Sequence, residues 1–452
     1  MKHLFKLTKT QYGWAIYDWA NSAFATTVMA GFFPIFFKNY WSYGTDVNVS
    51  TAQLGFANSL GSLIVALLGP VMGAVADRAA AKKKFLILFA YLGVLMTASL
   101  FLVEKGAWKL AALFYVLGLV GFSGSNIFYD ALLGDVADET ERDYISGFGY
   151  ALGYLGGGLL FTLNVVMTLY PAWFGLADTS SAVRFSFLSV ALWWGTFTLF
   201  TILWVKEKPY RKIGTTLELS IIREGVHQYL NTFRKIKKLK TVFLFLGAYW
   251  LYIDGVDTII RMAVDYAQSL HFQQEDLITA LLVVQFIGFP ASILYGKLGE
   301  LWDIRKAIFL AIVLYMIITF QGIFLNSVTE FYILAGMIGL VQGGIQALSR
   351  SYYLRLIPKD QTGEFFGFYN MMGKFAVILG PAFMGLVGLL VKRFLSTGIS
   401  SPSEIEEISM LASRWGIASL LILFVAGGIL FYFVDEQKGR REILKFQQGG
   451  IG

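Results

Sequence analysis

The sequence predicts an all-α membrane protein, with twelve transmembrane helices arranged as two pseudo-symmetric six-helix bundles. Three observations predict it. The 452 residues are 56% hydrophobic and only 15% charged, with a mean hydropathy of +0.61, whereas soluble domains carry about a quarter charged residues. Apolar runs long enough to cross a bilayer, about 20 residues each, recur twelve times. Polar landmarks in the first six runs return in the same order in the last six.

The runs lie roughly over 12–40, 53–76, 85–104, 110–133, 146–170 and 184–205, then 242–267, 277–299, 307–326, 331–356, 364–391 and 415–434. Lys2, Lys6 and Lys9 precede the first, which is too long for a cleaved signal and reads as an uncleaved span. The halves are then residues 1–205 and 242–452, joined by a basic linker over 206–241. The stretch Lys206–Lys240 holds ten Lys or Arg. Within it Ile222, Val226, Tyr229, Leu230 and Phe233 recur at helical spacing opposite the bases, an amphipathic helix suited to an anionic leaflet. Ser401-Pro402-Ser403-Glu404 is a capping-box pattern that predicts a short surface helix before the last span.

The net charge of +7 does not point to nucleic acid, because the bases are sorted by loop. About 27 of the 37 Lys and Arg fall in alternate loops and the two termini, about seven in the opposite loops and about three inside spans. That asymmetry predicts both termini in the cytoplasm of a plasma (bacterial inner) membrane. With no cysteine and three scattered histidines (His3, His227, His271), no metal-ligand spacing exists. No phosphate-binding Gly-x-x-x-x-Gly-Lys-Ser/Thr loop and no nucleophile–base constellation occurs, so neither ATP-driven transport nor catalysis is expected, and no cofactor.

The repeat is specific in position. Trp14, Asp18 and Asn21 match Trp250, Asp254 and Asp257, each 236 residues on. Phe114-Tyr115 matches Phe331-Tyr332, and Phe148-Gly149-Tyr150 matches Phe366-Gly367-Phe368, at offsets of 217 and 218. Gly73–Asp77 with Lys82-Lys83 matches Gly296–Glu300 with Arg305-Lys306 at 223. Duplicated six-helix bundles are a plan of secondary transporters.

Intramembrane polar residues then mark the interior. Segment seven carries Asp254, Asp257, Arg261 and Asp265 on a stripe roughly 80° wide at about 100° per residue. A charge at mid-span costs about 2.5–3.5 kcal/mol or more, so such residues face a wet or paired interior and read as functional by default. Asp257–Arg261 and Arg261–Asp265 are i,i+4 pairs, yet three acids against one base leave a surplus that invites H⁺ or Na⁺. Asp18 and Asn21 in segment one, Ser123, Asn126 and Asp130 in segment four, Gln342, Gln346 and Arg350 in segment ten, and Asn370 and Lys374 in segment eleven complete the set. Segments one, four, seven and ten should line the cavity, and three, six, nine and twelve should face lipid.

Gly73-Ala-Val-Ala-Asp77-Arg78, followed by Lys82-Lys83-Lys84, resembles the loop-2/3 signature of the major facilitator superfamily, with Ala80-Ala81 where that pattern has Gly-Arg. Tyr17-Asp18-Trp19-Ala20-Asn21-Ser22, Gln346-Ala347-Leu348-Ser349-Arg350-Ser351 and Gly363-Glu364-Phe365-Phe366-Gly367-Phe368-Tyr369-Asn370 are similar to its unknown-major-facilitator subfamily and the vacuolar amino-acid effluxers of autophagy. The resemblance implies a major-facilitator fold, alternating access and amino-acid export.

Helix N-termini carry about half a positive charge. Asp77, beside Arg78, is placed to cap segment eleven near Gly363, and Glu300 to cap segment five near Gly147, as gating latches. The expectation is a monomeric secondary transporter of a small polar solute, an amino acid or similar zwitterion, coupled to H⁺ or Na⁺. Alternatives are a cation-coupled sugar carrier using Asp18, Asn21 and Asn126, a lipid translocator, and a non-transporting scaffold or receptor.

Overall fold

A computed structural model describes residues 7–208, 232–269, 272–396 and 402–449. Among the described residues the chain is helical, without strands, and twelve helices are long and apolar enough to cross a membrane. They are α1 (Lys9–Ala23, extended to Trp41), α2 (Val47–Ala79), α3 (Lys82–Ser99), α4 (Trp108–Val136), α5 (Arg142–Leu169) and α6 (Thr179–Trp204). The second half supplies α7 (Lys240–Ser269), α8 (Gln274–Leu301), α9 (Ile304–Ile323), α10 (Val328–Arg355), α11 (Thr362–Leu395) and α12 (Pro402–Tyr432). A further helix, α13 (Glu436–Gly449), follows.

Two compact units form. One holds Met1–Lys235 with Ile357–Met371; the other holds Ile236–Leu356 with Met372–Gly452. In the first unit α1 packs on α5 and α6, α2 on α4, and α3 on α4 and α6; in the second α7 packs on α12, α8 on α10, and α9 on α10 and α12. Four of these pairings are the same after a shift of six helices, so the duplication read in the sequence is a duplication of packing.

Loop bases repeat as well, and they do more than set topology. Lys83 Nζ donates to the Val205 carbonyl at 2.8 Å and Arg305 to the Tyr432 carbonyl at 2.9 Å, each closing the end of α6 or α12. Arg184 donates to Phe101 O at 2.8 Å and Arg414 to Leu325 O at 3.1 Å, after α3 and α9. The last carbonyls of a helix lack intrahelical partners, and basic side chains satisfy them. At the opposite helix end Asp178 accepts the Ser181 N–H at 2.7 Å, which holds its carboxyl below the usual carboxylate range.

Two features depart from the sequence expectation. The first span is not a plain α-helix: Phe24–Phe32 and Phe37–Trp41 are π-helical, around one α-turn at Phe33–Phe36. Nine residues are too few for the hydropathy pattern to separate the two windings. The short surface helix expected from residue 401 is instead the first turns of α12, which runs unbroken from Pro402 to Tyr432. Ile405, Ile408 and Leu411 carry the apolar spacing into the span, and no Gly or Pro intervenes before Gly416. Ser401 and most of the amphipathic linker pattern lie outside the described residues; residues 232–238 are helical.

Candidate functional site

In the first unit the polar residues of α1 and α4 meet. The Trp14 ring stacks on Tyr129 at 4.3 Å between centroids, and its Nε1 donates to the Tyr129 carbonyl at 2.8 Å. Tyr129 is thereby fixed, and its hydroxyl donates to Asp18 Oδ2 at 3.2 Å, while Ser22, one turn on, approaches Oδ1 at 3.4 Å. Asp18 is 9% exposed. One turn further along each helix, Asn21 donates to Asn126 at 2.6 Å. Asn370, at the start of α11, donates to Asp130 Oδ2 at 3.1 Å and to its own helix at Phe366 O. Tyr129 was absent from the sequence candidates; its signal was an aromatic hydroxyl three residues after Asn126 in a polar stretch.

The beginning of α11 also receives the end of α2. Asp77 accepts the N–H groups of Gly363 at 2.9 Å and Glu364 at 2.8 Å, one on each carboxylate oxygen. These are orphan donors of a helix N-terminus, and the carboxylate also opposes the positive end of the dipole. The backbones can come this close because both helices carry glycine four residues apart. A Cβ on Gly73 would lie 2.1 Å from the Gly363 carbonyl oxygen, and one on Gly367 would lie 2.6 Å from that of Gly69. Paired small residues at that spacing permit tight crossings. Glu364 is buried, and both its carboxylate oxygens lie 3.1 Å from Lys235 Nζ, with Thr232 hydrogen-bonded to one of them. The Arg78 side chain lies outside the described ones, and Glu300 is half-buried near the end of α8.

In the second unit the stripe on α7 centres on Asp254. It is 1% exposed, and its Oδ1 accepts the Gly380 N–H of α11 at 2.8 Å. Thr258, one turn on, approaches the same oxygen at 3.4 Å, repeating the Asp18–Ser22 arrangement. Asp257 is half-buried, and the side chains of Arg261 and Asp265 lie outside the described ones. On α10 Arg350 is buried, Gln342 and Gln346 are half-buried, and Gln342 Oε1 has no hydrogen-bond partner among the described residues. Ser349 pairs with the Tyr252 hydroxyl at 2.7 Å. Lys374 is half-buried on α11. Among the described residues no group of three or more His, Cys, Asp or Glu is arranged to hold a metal ion.

Twelve apolar helices whose packing repeats after six, with buried charged side chains inside the spans, fit a secondary transporter of the major-facilitator type. Solved structures carry the same fold: the human organic anion transporter MFSD10 (TETRAN) matches with a TM-score of 0.70 at 13% identity, covering 94% of this chain and 99% of that one. The proton:xylose symporter XylE matches with 0.65 at 13%, covering 97% of each. More particularly, the chain belongs to the "Vacuole effluxer Atg22 like" family, whose model matches residues 40–388. An uncharacterized MFS-type transporter, YxiO of Bacillus subtilis (strain 168), is 38% identical over 434 residues, 96% of each protein. Autophagy-related protein 22 of Yarrowia lipolytica is 26% identical over 66% of this chain and 51% of its own length.

Proposed function

We propose that this transporter moves a small polar solute, an amino acid or similar zwitterion, by alternating access, coupled to H⁺ or Na⁺ at the α7 stripe. The observation that carries the reading is Asp254: a carboxylate 1% exposed in an apolar span, with no ion pair among the described residues. An uncompensated buried charge costs several kcal/mol, and a site that is filled and emptied by a cation explains why it is retained. A zwitterion suits a protein that carries acids (Asp18, Asp254, Asp257) and bases (Arg350, Lys374) within its spans. The amides of Asn21, Asn126 and Asn370 favour a second reading, a cation-coupled sugar carrier, because neutral donors and acceptors bind hydroxyls.

In this scheme both termini are cytoplasmic. The Asp77 cap on α11 is the latch that holds that side shut. A thermal-shift screen of the purified protein against amino acids, sugars and nucleosides identifies the solute, since a ligand of the native state raises the melting temperature. Asp254→Asn and Asp257→Asn proteoliposomes should then lose accumulation driven by a cation gradient while keeping solute exchange. Unchanged pH and Na⁺ dependence in both variants would sink the coupling assignment.

A further inference from the structure

Asp254 is held by one oxygen. Both of its hydrogen bonds, from the Gly380 N–H and the Thr258 hydroxyl, fall on Oδ1, and no donor reaches Oδ2 among the described residues. We propose that the coupling ion at Asp254 is a proton, carried on Oδ2, and not Na⁺. This rests on the coupling role given to α7 above and names the ion that the role requires.

The surroundings suit a proton and oppose a metal. Within transporters Na⁺ is held by several oxygens at once, largely carbonyls of unwound backbone and helix C-terminal ends. Here the backbone presents a donor: Gly380 turns an N–H, not a carbonyl, to the carboxylate. The Thr258 hydroxyl likewise spends its proton on Oδ1, so its hydrogen lies between the two oxygens. Gly380 itself packs directly on these two oxygens. A Cβ on Gly380 would lie 1.8 Å from Thr258 Oγ1 and 2.4 Å from Asp254 Oδ1. A proton needs no cage. With it on Oδ2 the carboxyl is neutral, accepts at Oδ1 and retains a donor for a solute or water, so burial then costs little.

The charged groups around it do not replace that proton. Asp257, on the same helix, adds a like charge one turn away. The bases of the neighbouring helices, Arg350 on α10, Lys374 on α11 and Arg414 on α12, form no ion pair with Asp254, and the side chains of Arg261 and Asp265 are not among those described. Loss of the proton on solute release would leave Asp254 an anion with no ion-pair partner among the described residues, which ties its protonation to the transport cycle.

The test reads the carboxyl itself and needs no solute. Infrared difference spectra of the reconstituted full chain at neutral pH should show a protonated carboxylic C=O band that moves to lower wavenumber in D₂O. The band should be missing in Asp254→Asn, present in Asp257→Asn, and insensitive to replacing K⁺ by Na⁺. Thr258→Val, which removes one bond to Oδ1, should shift the band without abolishing it. Should Asp254→Asn not fold, Asp254→Glu serves, and must move the band. A wild-type spectrum without the band, a band untouched by either Asp254 variant, or a band that Na⁺ titrates away overturns the proposal. Failure of solute accumulation with the band intact would instead overturn the transport reading and leave the proton on Asp254.

Discussion

The buried polar residues differ in what neutralises them, and that difference directs the mutational tests. Lys82 and Asp135 form a buried ion pair at 3.2 Å, a structural use of charge, since removing either partner would strand the other at about 3–5 kcal/mol. Lys374 is a different case. Its place in the other half, by the 218-residue offset, is taken by Gly156, so the duplication does not demand a base there. An asymmetric charge on a near-symmetric scaffold is what binding one asymmetric solute requires, and we assign it the solute carboxylate. Lys374→Gln should then raise KM for a carboxylate-bearing solute about 10- to 100-fold, the value of a hydrogen bond to a charged group at ~1.5–3 kcal/mol. Expression and melting temperature should hold. Loss of folding that Asp257→Asn restores would instead make Lys374 a structural partner of α7, and the anchor role would be withdrawn.

Among elements, α11 is constrained at two places, because glycines at both its start and its middle touch other chain segments without a side chain between. The Gly69/Gly73 and Gly363/Gly367 crossing has no space for even one methyl, so Gly367→Ala or Gly73→Ala must push α2 and α11 apart. Each should lengthen or break the Asp77 bonds and raise the labelling rate of cysteines introduced beside Gly363, with Asp77→Asn giving the same direction and a smaller effect. Unchanged labelling in all three would show that this crossing does not close the protein. Span number, most span limits, the duplication and the approach of Asp77 to Gly363 were legible in the sequence, because hydropathy and an acid after a glycine run are local signals, whereas α12 begins at Pro402 and not at 415. Gly380 as the partner of Asp254 was not: it faces residues 122 to 126 positions away, and its own sequence shows only a helical Gly-Pro. The π-helical stretch of the first span escaped for the opposite reason, since its winding depends on packing that a nine-residue pattern does not encode.

For the molecule as a whole, alternating access requires two states within a few kcal/mol of each other, so any contact made in only one of them sets the balance. We propose the Asp77 cap as one such contact and the pair between Glu364 and Lys235 as a second, which involves the chain that joins the halves. Glu364 is 4% exposed at its side chain, and Lys235 reaches both of its oxygens as well as Gln361 Oε1 at 3.0 Å. One residue, Glu364, therefore gives its N–H to Asp77 and its carboxylate to the linker. If the linker takes part in closure, Lys235→Gln should favour the open state as Asp77→Asn does. The effect should stay at about 3 kcal/mol or less, because Lys235 keeps 29% of its side-chain surface exposed and water compensates part of the loss. The two substitutions meet on the same turn of α11, so their effects on cysteine labelling should not add: once the Asp77 bonds are gone, α11 has already moved from the carboxylate that Lys235 holds. Strict additivity would mean two independent contacts, with the linker clasping Glu364 in both states of the cycle and taking no part in closing it.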